Sequence, residues 1–174
     1  MQIPQKVRER FMQEALKQAH KAFDKDEVPV GAVVVDKHGT LIARAHNQVE
    51  STDTQTAHAE LLALRKAGEK NGDWRLDGFW LYVTLEPCAM CLHAIALSRL
   101  AGVIYGADSP VFGFHLDKLG TLSIYRDRTL PFEIIGGVKA HEAGELLREF
   151  FRKKRVGSER GKKFSRGASG SGED

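Results

Sequence analysis

The chain has 174 residues, 42% of them hydrophobic and 28% charged, a size and balance that suit one globular domain with a real core. Its net charge is +3, yet Arg148 to Arg166 alone carries nine Lys or Arg against two Asp or Glu, so a slightly acidic body ends in a basic segment suited to an anionic partner. Two cysteines, Cys88 and Cys91, exclude a disulfide framework, and no apolar stretch reaches the roughly 18–20 residues of a membrane span.

The N-terminal residues are charged and lack the apolar block of a secretory signal, so the expected location is the cytoplasm. Val7 to Asp24 places Val7, Phe11, Ala15, Leu16, Ala19 and Phe23 at helical spacing. Val28 to Val35 is a β-branched run with Pro29 near its start. Asp36 to Gly39 reads as a turn and Leu41 to His46 as a returning strand, which completes a hairpin. Ala57 to Lys70 reads as a helix ended by Asn71-Gly72. Phe79 to Thr84 reads as a strand. Pro87 is placed to open a helix that continues to about Leu100.

Val103 to Gly106 reads as a short buried strand, and Ser109 to Asp127 carries mixed helix and loop signals. Phe132 to Gly136 reads as a last strand and Ala140 to Arg155 as a last helix. One hairpin followed by alternating strands and helices implies an α/β fold, a three-layer α/β/α sandwich around a mixed five-stranded sheet. The expected domain spans 1–156. Residues 157–174, half of them Gly or Ser, are expected to form a disordered basic tail.

Two strings carry the chemistry, Thr56-Ala57-His58-Ala59-Glu60 and Leu85-Glu86-Pro87-Cys88-Ala89-Met90-Cys91. Both fall at loop-to-helix junctions. Cys88 and Cys91 at a helix N-terminus share one side of its first turn, where free N–H groups and the dipole favour the thiolates that bind zinc. His58 supplies a third ligand, and three ligands with an open fourth position make a catalytic zinc site. A structural site would need a fourth side chain, and His93 points to the opposite side of a regular helix. Zinc lowers the pKa of a water it binds to roughly 7. Glu60 beside it can then serve as general base and general acid. On a regular helix, residues two apart lie about 200° apart, so His58 is expected at the irregular start of its helix. His-x-Glu with Pro-Cys-x-x-Cys is the established signature of the zinc nucleobase deaminases, and the chain matches it residue for residue.

Further strings narrow the likeness. Glu27 to Val35, Ala45-His46-Asn47, Trp74-Arg75-Leu76, Leu81 to Cys91 and Phe150-Phe151-Arg152 resemble the bacterial tRNA-specific adenosine deaminases, over roughly Phe11 to Arg155. The resemblance implies a cytidine-deaminase-like fold, one zinc ion per subunit, a homodimer, and conversion of adenosine to inosine at the first (wobble) position of a tRNA anticodon loop. It also implies that Asn47 contacts the flipped base, that Val30, Ala57 and Leu85 help line the pocket, and that Arg152 lies close to the RNA. The chain departs from that pattern at Asp108 to His115 and at Arg128-Thr129-Leu130. Two other functions therefore stand beside the first: a deaminase of a free base or nucleotide, such as guanine or a cytosine nucleotide, and a non-catalytic zinc-stabilised RNA-binding module. Other histidines (His20, His38, His46, His93 and His141) read as surface or packing residues, and His115 as a loop residue or a substrate contact.

Overall fold

The structure, a computed structural model, describes residues 3–113 and 132–167, with 157–167 described by their backbone alone. Helix α1 (Gln5–Asp24) follows the expected apolar spacing and buries Phe11, Met12, Ala15, Leu16, Ala19 and Ala22. It stops where Lys25 leaves the helix and Asp26 takes a positive φ of 62°. Strands β1 (Gly31–Val35) and β2 (Leu41–His46) form the hairpin. At its turn, Asp36 Oδ1 accepts from the N–H groups of His38 at 2.9 Å and Thr40 at 2.8 Å, and Gly39 supplies a φ of 81°. Pro29 stays outside β1, which begins later than expected because proline cannot donate to a ladder that is paired on both sides. The short helix α2 (Val49–Thr52) has no counterpart among the elements expected from sequence.

Helix α3 (Ala59–Asn71) begins two residues later than expected and ends on Gly72 with φ 71°. Strand β3 (Trp80–Leu85) leads into α4 (Ala89–Leu97). Pro87 therefore precedes α4 and does not open it. Cys88 between them is extended, with φ −73° and ψ 169°. Helix α4 ends before Leu100 because Arg99 adopts a φ of 61°. Strands β4 (Gly102–Ala107) and β5 (Glu133–Ile135) follow, then α5 (Ala140–Gly167). The backbone of α5 continues past Arg155 into the stretch expected to be an irregular tail. His115, residues 128–130 and the end of the tail lie outside the described residues.

The sheet order is β2-β1-β3-β4-β5. Strand β1 runs antiparallel to β2 and β3, whereas β3, β4 and β5 are parallel, so the sheet is mixed. Both its faces are covered. Ala32, Val34, Leu81, Val83, Val103 and Tyr105 meet α3 and α4 in one core. The alternate residues Val33, Val35, Tyr82 and Ile104 meet Phe11, Met12 and Ala15 of α1 in the other. That explains why every residue of β1 and β4 is buried. Helix α5 joins the α1 face, where Phe150 packs edge-on against Phe23 at 5.9 Å and Ala143 clusters with Leu16 and Ala107. The expected three-layer sandwich is what forms.

Candidate active site

Two helix starts converge to build the site. His58 sits immediately before α3 in an extended conformation, φ −66° and ψ 146°. Cys88 holds the same place before α4. Because His58 is outside its helix, the 200° separation that would part it from Glu60 does not apply. His58 Nδ1 lies 3.8 Å from Cys88 Sγ and 3.5 Å from Cys91 Sγ. The three potential ligand atoms all fall within 4.8 Å of one another, the one such group among the described residues. Two sulfurs and one imidazole nitrogen, one of the residues buried and two half-buried, suit a zinc ion with a position left for a reactant. His93 takes no part: its Nδ1 lies 2.9 Å from the Ala89 carbonyl oxygen.

The electrostatics follow from this crowding. Hydrogen bonding from Cys91, with further help from His58, pushes the Cys88 thiol down to about 4 despite burial. Cys91 is pushed up, by its bond to Cys88 and by burial. The two sulfurs titrate as a coupled pair, in which the first proton leaves readily and the second is held by the crowding of a second negative charge. His58 is raised, chiefly by its bond to Cys88 and further by the charge of Glu60. Glu60 is 4% exposed. Burial raises its pKa, and its carboxyl group feels His58, Cys88 and Cys91. A glutamate raised by burial beside a metal-ligand cluster is what a proton shuttle near neutral pH needs.

The pocket residues implied by the resemblance fall into two sets. Asn47, Val30 and Ala57 are buried and tied to the ligand loop. The Asn47 N–H donates to the Val30 carbonyl at 3.0 Å, and the Gln48 N–H donates to the Ala57 carbonyl at 3.0 Å. Leu85 closes β3 just before the Cys88 segment and packs against two of the cores. Arg152 is separate: it is exposed on α5, on the α1 side of the sheet, whereas α3 and α4 carry the ligands on the other.

Two glutamates that sequence reasoning did not single out belong to the surroundings of the site. Glu86 Oε2 accepts from the Ser109 N–H at 2.9 Å and Gly113 bridges to Cys88, so 108–113 folds back beside a metal ligand. A Cβ at Gly113 would sit 2.2 Å from Glu86 Oε2. Glu27 is fully buried and accepts three N–H groups. Their only sequence signal was that both lie in strings shared with the resembling family.

Comparison with known proteins agrees with this geometry. Residues 5–107 match the family model described as the cytidine and deoxycytidylate deaminase zinc-binding region. The chain is similar to the tRNA-specific adenosine deaminase of Bacillus subtilis (strain 168), at 45% identity over 147 residues that cover 84% of this chain and 90% of that one. Among solved structures, a tRNA:A34 deaminase that performs A-to-I editing at the wobble position of transfer RNA superposes with a TM-score of 0.72. It is 38% identical, and the match covers 79% of this chain and 99% of that one. Guanine deaminase from Nitrosomonas europaea superposes with a TM-score of 0.70 at 27% identity, covering 82% of this chain and 83% of that one.

Proposed function

The chain belongs to the cytidine and deoxycytidylate deaminase family, within the tRNA-specific adenosine deaminases, and from that premise we propose that it hydrolyses adenosine to inosine at the wobble position of a tRNA. The observation that carries the chemistry is the buried Glu60 set against the converged His58, Cys88 and Cys91. Zinc, when bound by those three residues, supplies the Lewis acid that lets a water ionise near neutral pH. The protein's own part is proton transfer. Glu60 takes a proton from the attacking water and delivers it to the purine ring nitrogen next to C6. With the water oxygen bonded to C6, Glu60 takes the proton of the new hydroxyl and passes it to the 6-amino group; the C6–N bond breaks and ammonia departs, so water and adenosine become inosine and ammonia.

Asn47, Val30, Ala57 and Leu85 are the residues we assign to seating the base. Arg152, with Lys153, Lys154 and Arg155 beside it, is assigned to phosphate contact. The molecule is proposed to work as a cytoplasmic homodimer. Met90, His93, Ala94 and Leu97 form one stripe along α4 at helical spacing, with Leu97 72% exposed, and a second copy is the occupant proposed for it.

The test is incubation of purified protein with an anticodon stem-loop carrying adenosine at the first anticodon position, scored for inosine, with Glu60→Ala alongside. Inosine from the wild type alone is expected. Zinc-loaded wild type that leaves adenosine untouched would overturn the substrate. Turnover of guanine would then favour the free-base reading, which the similarity to a guanine deaminase and the family-atypical 108–113 segment motivate. A binding module without catalysis has no need of the proton-transfer group at Glu60.

A further inference from the structure

Glu27 is a carboxylate with no exposed surface, and the deamination chemistry makes no use of it. It follows the turn that ends α1, where its N–H donates to the Ala22 carbonyl at 3.0 Å. Oε2 accepts from Asn47 Nδ2 at 3.2 Å and from the Glu50 N–H at 3.1 Å; Oε1 accepts from the Ser51 N–H at 2.7 Å. The two backbone donors are orphan groups at the start of α2, whose preceding residue, Gln48, offers no side-chain cap. Glu27 therefore does from a distance what a cap does locally. Burial pushes its pKa up, and the N–H groups of Ser51 and Glu50 more than offset this, leaving it below the ordinary value.

The consequence for Asn47 is one of orientation. An ionised carboxylate only accepts, so the Asn47 amide must turn its NH2 toward Glu27. Its Oδ1 is thereby fixed pointing elsewhere, and among the described residues Oδ1 has no protein partner. Asn47 is only 6% exposed, so an acceptor left open on it in this way is one that a substrate donor can satisfy. The same carboxylate closes the base of the excursion from Asn47 to His58, which the bond from the Gln48 N–H to the Ala57 carbonyl ties off.

We propose that Glu27 is a positioning residue of the active site, which acts through Asn47 by locking the side-chain amide in the one orientation that leaves Oδ1 open to substrate. This rests on Asn47 contacting the substrate, as proposed above. A merely structural Glu27 would lower stability or zinc content and affect turnover only through them.

The experiment is a double-mutant cycle of Glu27→Gln and Asn47→Ala in zinc-loaded full-length protein. It reads kcat and KM on the anticodon stem-loop, zinc per chain, and the Asn47 side-chain amide resonances. Glu27→Gln is expected to lower kcat/KM by about 10- to 100-fold, the scale of a lost hydrogen bond to a charged group, with one zinc retained and the Asn47 amide resonances shifted. In the Asn47→Ala background the same change is expected to cost less than about threefold. Equal losses in both backgrounds, loss of zinc in Glu27→Gln, or unmoved Asn47 resonances would each overturn the proposal. Should Glu27→Gln not fold, Glu27→Asp carries the same cycle. A wild type inactive on the stem-loop overturns only the substrate reading, because the resonances report positioning without any substrate.

Discussion

Glu60 occupies a place where a glutamate is useful because it is uncomfortable. Burial holds its proton more tightly than water would, which suits the proposed role of accepting and returning one within a single turnover. Glu60→Gln keeps the shape and removes the exchange; kcat is expected to fall by at least about 10²–10⁴-fold with zinc content unchanged by atomic absorption. Cys88→Ala acts on the metal itself. Since the ligands tie the starts of α3 and α4 together, that variant is expected to lose both zinc and several degrees of thermal stability. Wild-type zinc content in Cys88→Ala would contradict the assignment. Glu27 makes a prediction in pH. Its folded pKa is depressed below 4.5, so its stabilisation is complete above that ordinary value and is lost as pH falls through the folded pKa. Melting temperature against pH should therefore drop more steeply on the acid side for wild type than for Glu27→Gln.

At the scale of elements, α1 rests on β1 with no room between them. A Cβ at Gly31 would sit 2.1 Å from the Ala15 carbonyl oxygen and 2.4 Å from the Ala19 nitrogen, both backbone atoms that cannot swing aside. The Gly31 N–H also donates to Thr84 Oγ1 at 3.1 Å, which ties the start of β1 to the end of β3. Gly31 thus sets the depth at which α1 lies on the sheet, and Val30 beside it falls next to Asn47. Gly31→Ala is expected to destabilise by about 1–3 kcal/mol or more, read as a lowered denaturation midpoint. An unchanged midpoint would mean that α1 can lift without cost.

For the whole molecule, the basic helix α5 and the apolar stripe of α4 lie on opposite faces of the sheet. If Arg152 meets phosphate, Arg152→Ala should weaken tRNA binding and flatten the slope of log affinity against log salt by about one. A slope equal to wild type would remove Arg152 from the interface. Leu97→Glu places a charge in the α4 stripe and should convert a dimer to a monomer in sedimentation. A wild type that sediments as one chain would end the homodimer proposal.

Local spacing on its own pointed to the three residues positioned for a metal ion, to Glu60 as the proposed proton shuttle, and to the layered fold. Cys88 and Cys91 share a helical turn, His58 and Glu60 share a helix start, and alternating apolar runs mark the strands, so each signal lies within a few residues of chain. Element ends are less legible: Pro87 suits the first turn of a helix, but the extended Cys88 sets the start of α4 at Ala89. Only the tertiary structure decided what surrounds the site. Glu27 meets Asn47, Glu50 and Ser51 across 20, 23 and 24 residues, and Glu86 meets Ser109 across 23. Buried carboxylates of this kind are indistinguishable in sequence from exposed ones, because what sets their role is the set of donors the packed sheet brings to them.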